Sequence, residues 1–171
     1  CVPTPFKQDH DEKKVDLSYI VKASETVSTV LKKGDLVILE STVPPETTDI
    51  YMNNILKKET GMKVNKHYYI AHCPERVLPG QILKEIRNND RVIGVSNKKA
   101  GEMAKELYST IVKNGNIYIT DTVTAEMCKL VENTYRDINI AFANELSMIC
   151  DKLGIDVWEL IELANKHPRV N

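Results

Sequence analysis

A chain of 171 residues with 23 basic and 24 acidic side chains, a net charge of −1 and 42% hydrophobic content has ordinary folded-domain composition, which excludes disordered, collagen-like and mucin-like readings. The balanced charge lacks the basic excess that a nucleic-acid or anionic-membrane binder needs. No run reaches the roughly 18 apolar residues of a membrane span, and no signal-peptide pattern opens the chain.

Four cysteines without a C-x-x-C pair point to a reducing, cytoplasmic setting rather than a disulfide scaffold. The chain begins Cys1-Val2-Pro3-Thr4-Pro5, without Met, in what reads as the end of a strand, and it stops after His167-Pro168-Arg169-Val170-Asn171. Both ends are those expected of a piece of a larger protein.

The polar run Lys7–Lys14 reads as a loop. Asp16 is placed to cap a helix in which Leu17, Ile20, Val21, Val27, Val30 and Leu31 recur at helical spacing, closed by Lys32-Lys33-Gly34. The apolar run Leu36–Leu39 predicts a strand covered on both faces. Ser41-Thr42-Val43-Pro44-Pro45 turns the chain into a helix over about 46–58, ended near Gly61. Further strands are expected at Tyr68–Ala71, Arg91–Val95 and Ile117–Ile119, with a helix over about 98–112 before the last of them. Alternating strands and helices predict an α/β fold around a parallel sheet.

From Thr124 to Leu153 a helical period runs unbroken by Pro or Gly. Such a helix is about 45 Å long and is expected to bridge domains or pack on a partner. Asp156 then caps a last helix, with Ile155 and Leu160 placed as a hydrophobic staple and Pro168 beyond its end.

Ligands of open parallel sheets gather beyond the carboxyl ends of strands. Three proline-stiffened segments are expected there: Pro3-Thr4-Pro5, Ser41–Pro44 and His72-Cys73-Pro74-Glu75-Arg76-Val77. Thr42 either meets a polar ligand or caps the next helix, and Glu75 and Arg76 either serve a ligand or are solvated turn charges. Lys129, Asn133 and Arg136 are spaced i, i+4, i+7 and share one helix face. A cation, an amide and a second cation suit an oxygen-rich anion; the competing reading is a solvated face paired with Glu126, Glu132 and Asp137. Cys73, internal and before proline, reads as a packing residue rather than a nucleophile. His67, His72 and Cys73 have no metal-ligand spacing, so no metal is expected. G-x-G-x-x-G is absent from the chain.

Six blocks in colinear order complete the pattern: Val2-Pro3-Thr4-Pro5, Glu40-Ser41-Thr42-Val43-Pro44, Ala71 to Gly80 (AHCPERVLPG), Asp90-Arg91-Val92-Ile93-Gly94, Thr124 to Asn133 (TAEMCKLVEN) with Ile140 to Leu146 (IAFANEL), and His167-Pro168-Arg169-Val170-Asn171. Together they resemble the UDP-glucose/GDP-mannose dehydrogenase family over nearly the whole chain. The resemblance implies the second half of a Rossmann-like parallel-sheet NAD domain over 1–122, then a central dimerisation helix over 123–171. It implies two successive NAD-dependent oxidations of a UDP-sugar C6 alcohol to a uronic acid, serving polysaccharide synthesis. UDP-N-acetyl-D-mannosamine is the favoured substrate, with UDP-N-acetyl-glucosamine or UDP-glucose as alternatives.

By the same resemblance Thr4 and Thr42 contact NAD, while Arg76 and Val77 belong to a sugar-nucleotide-binding segment. Lys129 is the catalytic lysine, and Asn133 and Arg136 extend along the substrate. His167 and Arg169 reach the substrate of the partner subunit. Glu75 is auxiliary, because the second glutamate of sister enzymes, four residues on, is Pro79 here. The family's glycine-rich loop and cysteine nucleophile are expected outside these residues, so the chain by itself is expected to be inactive, with a non-catalytic pairing module as the rival reading.

Overall fold

The structure is a computed structural model, and it describes residues 2–7 and 14–170. Most of the expected Lys7–Lys14 loop lies outside the described residues. The chain divides into two compact units, Cys1–Leu130 and Val131–Asn171.

The first unit is a four-stranded sheet flanked by helices. In chain order it contains α1 (Ser18–Ser28), β1 (Leu36–Leu39), a π-helical turn (Thr47–Met52) running into α2 (Asn53–Thr60), β2 (Tyr69–His72), α3 (Ile82–Asn88), β3 (Arg91–Val95), α4 (Lys98–Ser109), β4 (Ile117–Thr120) and the start of α5 (Thr122–Leu153). α6 (Val157–Ala164) follows in the second unit.

Most boundaries follow local chemistry. Gly61 takes φ +68° after Lys57 and Lys58, ending α2 in the left-handed conformation with cations at the negative helix end. The Asn97 side chain accepts the Ala100 N–H at 2.8 Å to start α4, and Asp156 accepts that of Trp158 at 2.8 Å to start α6. α1 begins one residue later than its pattern suggests, at Ser18, yet Asp16 still accepts the Ser18 N–H at 2.9 Å. Asp121 accepts from both the amide and hydroxyl of Thr124, so α5 begins at Thr122. Val2–Pro5 forms no regular strand; the chain nearby makes only an isolated bridge, Phe6 to Val15.

The strand order is β1-β2-β3-β4. β1/β2 and β3/β4 are parallel, as the pattern predicts, but β2/β3 are antiparallel, with Ala71 opposite Val95 and His72 opposite Gly94. The sheet is therefore mixed. Residues 73–77 continue the line of β2 alongside β3 instead of crossing back over the sheet, and the short α3, too short for a clear periodic signal, leads the chain into β3. Continuing the register puts Glu75 across from Arg91, and these two form an ion pair at 3.2 Å.

Alternation along the strands separates two cores. Leu39 and Ile70 face α1 and α2 and pack with Ile20, Val43, Met52, Leu56 and Tyr68. Ala71 and Ile93 face α4 and pack with Cys73, Ala104 and Tyr108. Full burial of one such side chain, Leu56 for example, contributes about 2 kcal/mol.

Gly94 is where α5 crosses the sheet. A Cβ there would lie 2.6 Å from the Thr122 Cα and 2.7 Å from both the Ala125 Cβ and the Asp121 carbonyl oxygen. Two of those three contacts are backbone atoms of the helix start, which cannot rotate away. Gly94→Ala is expected to destabilise the chain by about 1–3 kcal/mol. Gly101→Ala, in α4 and with its nearest neighbour 3.4 Å from the new Cβ, is expected to be neutral or to stabilise by up to about 1 kcal/mol. Urea denaturation midpoints of the two variants check the contrast.

Candidate functional site

The three segments expected beyond the strand ends do come together. The Val2 N–H donates to Ser41 Oγ at 2.8 Å, and that hydroxyl donates to the Val2 carbonyl at 2.7 Å. Thr4 Oγ1 donates to the Thr42 carbonyl at 2.7 Å. From the other side, the Cys73 N–H donates to the Leu39 carbonyl at 3.0 Å and the Glu75 N–H to the Glu40 carbonyl at 3.3 Å. Thr4 and Thr42 are both half-buried. Thr42 does not cap the following helix, which begins only at Thr47.

Glu75 and Arg76 are not solvated turn charges. Glu75 Oε1 accepts the amides of Arg76 at 2.7 Å and Val77 at 3.1 Å, bending the chain into a tight anionic turn, while Oε2 pairs with the buried Arg91. Arg76 is half-buried and donates to the Asp90 carbonyl at 3.4 Å. The Arg91 guanidinium lies 5.8 Å above the centre of the Tyr108 ring. Tyr108 donates in turn to Glu40 Oε1 at 2.6 Å, and burial pushes its phenol well above the usual range. Cys73 lies in this buried cluster. Burial raises its thiol pKa, which suits a packing role and opposes a nucleophilic one.

On the opposite sheet face, His72 is fully buried beside the crossing of α5, since its ladder partner Gly94 meets Thr122 and Ala125. Neither ring nitrogen has a hydrogen-bond partner among the described residues. Burial drives its pKa down to about 4, with the Leu39 carbonyl as the lesser, opposing influence.

The start of α5 is anchored by groups that the sequence pattern does not reveal. Glu126, a solvated salt-bridge partner in the competing reading of the Lys129 face, is 0% exposed. Its Oε2 accepts the Glu46 N–H at 2.6 Å, and its Oε1 accepts the N–H and the hydroxyl of Thr48 at 2.8 and 2.7 Å. Burial raises its pKa, and the three donors pull the other way. The Thr122 hydroxyl is bonded to the Asp49 carboxylate. Thr122, Ala125 and Glu126 are all buried; their i, i+3, i+4 spacing was a legible signal that Glu126 points inward.

Lys129, one turn further on, is half-buried. In the second unit Asn133 is half-buried and Arg136 exposed, and the Arg136 guanidinium donates to Asn133 Oδ1 at 3.3 Å. Asn133, Thr134, Arg136, Asp137 and Ile140 line an open depression of about 360 Å³. His167 and Arg169 lie exposed in the turn after α6, where the Arg169 N–H donates to His167 Nδ1 at 3.3 Å. Among the described residues no three His, Cys, Asp or Glu side chains converge as a metal site, and no helix is long and apolar enough to cross a membrane.

The molecule therefore presents hydroxyl-bearing, proline-stiffened loops at a sheet edge, together with a helix carrying a half-buried cation near its sheet-packed end. Comparison with known proteins gives the family of the chain. Residues 1–112 match the NAD-binding domain of the UDP-glucose/GDP-mannose dehydrogenase family, and residues 123–171 match its central domain. The chain is 58% identical over 171 residues to the UDP-N-acetyl-D-mannosamine dehydrogenase of Methanocaldococcus jannaschii, and 56% identical to that of Methanococcus maripaludis. All of this chain aligns in both cases, against 38% of each relative, so it spans about two fifths of their length. The solved structure of the UDP-D-ManNAc dehydrogenase of Pyrococcus horikoshii superposes with a TM-score of 0.91 at 48% identity, over 99% of this chain and 39% of that one.

The buried His72 makes stability depend on pH in a defined direction. Its folded pKa of about 4 lies below the ordinary 6.5, so the unfolded chain takes up the proton first as the solution is acidified. Its contribution is fully present above about pH 6.5 and is lost as pH falls towards 4, a loss of about 3 kcal/mol. Urea titrations at pH 7, 5.5 and 4 are expected to show this slope, and His72→Leu to remove that part of it.

Proposed function

Because this chain belongs to the UDP-glucose/GDP-mannose dehydrogenase family, we propose that it supplies the cofactor-side loops and the catalytic helix of an NAD-dependent UDP-N-acetyl-D-mannosamine 6-dehydrogenase. The observation that carries this reading is the gathering of Thr4, Thr42 and the Glu75–Val77 turn at one sheet edge, together with full-length alignment to relatives named for that activity. Residues 1–122 serve as the later part of the NAD domain, and 123–171 as the central helical segment.

The residues fit the cofactor. Thr4 and Thr42 offer half-buried hydroxyls on loops fixed to each other, at the edge where open α/β sheets hold dinucleotides. Held at these two loops, the cofactor would supply the hydride acceptor for the C6 carbon of the sugar. Lys129 accepts the C6 hydroxyl proton and steadies the developing oxyanion. Its partial burial strengthens that electrostatic effect relative to bulk water. Asn133 and Arg136 donate along the sugar nucleotide, as do Arg76 and the amide of Val77. Glu75 is auxiliary: its carboxylate, already occupied by Arg91 and two amides, orders the turn that carries Arg76 and Val77. His167 and Arg169 reach the sugar nucleotide bound by a second copy. The enzyme works in the cytoplasm and supplies a uronic acid for polysaccharide synthesis.

A homodimer through α5 belongs to the same reading. Val131, Tyr135, Ile138, Phe142 and Ile149 recur at spacings of four, three, four and seven and are 58, 72, 62, 64 and 50% exposed. That spacing suits the seam of a two-helix packing. The same seam supports the rival reading of a pairing module without catalysis, and sedimentation of the chain with and without Ile138→Asp tests the pairing.

The pyrophosphate-binding loop and the nucleophilic cysteine lie outside these residues in this reading. The purified 171-residue chain is expected to give no steady NADH production with UDP-N-acetyl-D-mannosamine and NAD⁺. The full-length protein carrying this sequence is expected to turn over, to prefer that substrate to its glucosamine epimer, and to lose about 10²–10⁴-fold in kcat with Lys129→Ala. Sustained turnover by the short chain, or an unchanged kcat in the variant, overturns the assignment.

A further inference from the structure

Glu126 is a buried carboxylate to which the proposed chemistry gives no task. Its two oxygens collect three donors from a segment about eighty positions away in sequence: the Glu46 amide, the Thr48 amide and the Thr48 hydroxyl. The two amides belong to the first turn of the helical stretch that runs on into α2, where N–H groups lack partners within the helix. Glu46 itself sits at φ +69°, a left-handed backbone that costs a residue with a Cβ about 1–2 kcal/mol. The carboxylate thus grips the one strained residue of the loop.

Two further contacts act at the same place. Thr122, one turn before Glu126, is bonded to Asp49, and the bare Cα of Gly94 lets this first turn of α5 lie directly on the sheet. The path from this anchor to Thr42 and to Lys129 is short and stiff. Upstream of Glu46, Pro44 and Pro45 fix their backbone, and Thr47 Oγ1 donates back to the Pro44 carbonyl at 2.7 Å; Thr42 lies just beyond. Downstream of Glu126, Lys129 is three residues away, about 4.5 Å along the helix axis.

We infer that Glu126 is a positioning residue that fixes the cofactor-side loop bearing Thr42 against the helix bearing Lys129. The inference rests on the dehydrogenase reading above and adds to it a residue that touches neither substrate nor cofactor. It makes an asymmetric prediction. Lys129, Asn133 and Arg136 ride on one helix and keep their spacing when the tie is cut, leaving Arg76 and Val77 as the sugar contacts across it, so sugar binding is the less affected. Thr42 lies across the tie, so the relation between cofactor and lysine is the more affected.

The test is Glu126→Gln in the full-length protein, a substitution of equal size that leaves one acceptor oxygen and turns an NH₂ towards a backbone donor. Expected are a kcat about tenfold lower or more, a KM for NAD⁺ raised about fivefold, and a KM for the UDP-sugar within twofold of wild type. Calorimetric titration with NAD⁺ alone is expected to show the same weakening without turnover, and hydrogen exchange to quicken at the Glu46 and Thr48 amides. Thr48→Val removes only the hydroxyl donor. It is expected to act in the same direction more weakly and to add little to Glu126→Gln, and it serves as the test should the Gln variant not fold.

A purely structural role gives a lower Tm with kcat and KM for NAD⁺ within twofold of wild type, measured where circular dichroism shows full folding. That outcome overturns the inference and leaves the dehydrogenase reading standing. A wild-type protein without turnover, or an active one indifferent to Lys129→Ala, overturns the reading and the inference with it.

Discussion

The first unit is organised around one buried carboxylate. Glu126 is removed from water, which disfavours its charged form, yet three donors converge on it and no apolar side chain of the same shape could satisfy them. Remove it and the Glu46 amide and the buried Thr48 amide lose their acceptor, the latter in a place that water does not reach easily. This is why the strained turn at Glu46, the close approach at Gly94 and the start of α5 belong together: each is tolerable only while the others hold α5 against the sheet.

The second organising constraint is the antiparallel step between β2 and β3. Because the chain runs outward after His72 instead of crossing the sheet, residues 73–77 lie alongside β3, and the Glu75–Arg91 pair marks the continued ladder. Arg91 then covers the Tyr108 ring, and Tyr108 reaches Glu40. The turn at 75–77 is thereby supported from below by a buried chain of charged and aromatic groups, so its geometry depends on residues from three separate parts of the chain. A glutamate accepting two amides and a guanidinium at once is held in one rotamer, which suits the ordering of a binding segment better than it suits a freely moving base.

The second unit rests on different physics. Its helix exposes aromatic and aliphatic side chains at heptad-like spacing, and this exposed surface is large for a segment with so little core of its own. Its polar residues follow a separate stripe, so the sugar-binding face and the pairing face proposed for α5 do not compete for the same side chains.

What the sequence determined by itself is local and periodic. The strand runs, the helix ends at Gly61 and Asp156, the uninterrupted α5 and the row of Lys129, Asn133 and Arg136 all follow from spacing, capping chemistry and glycine, which act within a few residues. Six colinear blocks carried the family. What only the tertiary structure decided is where distant residues meet. The reversal of β3, the burial of Glu126 under a loop that precedes it by nearly eighty residues, the seating of Arg91 on Tyr108 and the isolation of His72 all depend on through-space packing. The spacing of Thr122, Ala125 and Glu126 turns the carboxylate inward on paper, but its partners lie too far along the chain for any local pattern to name them.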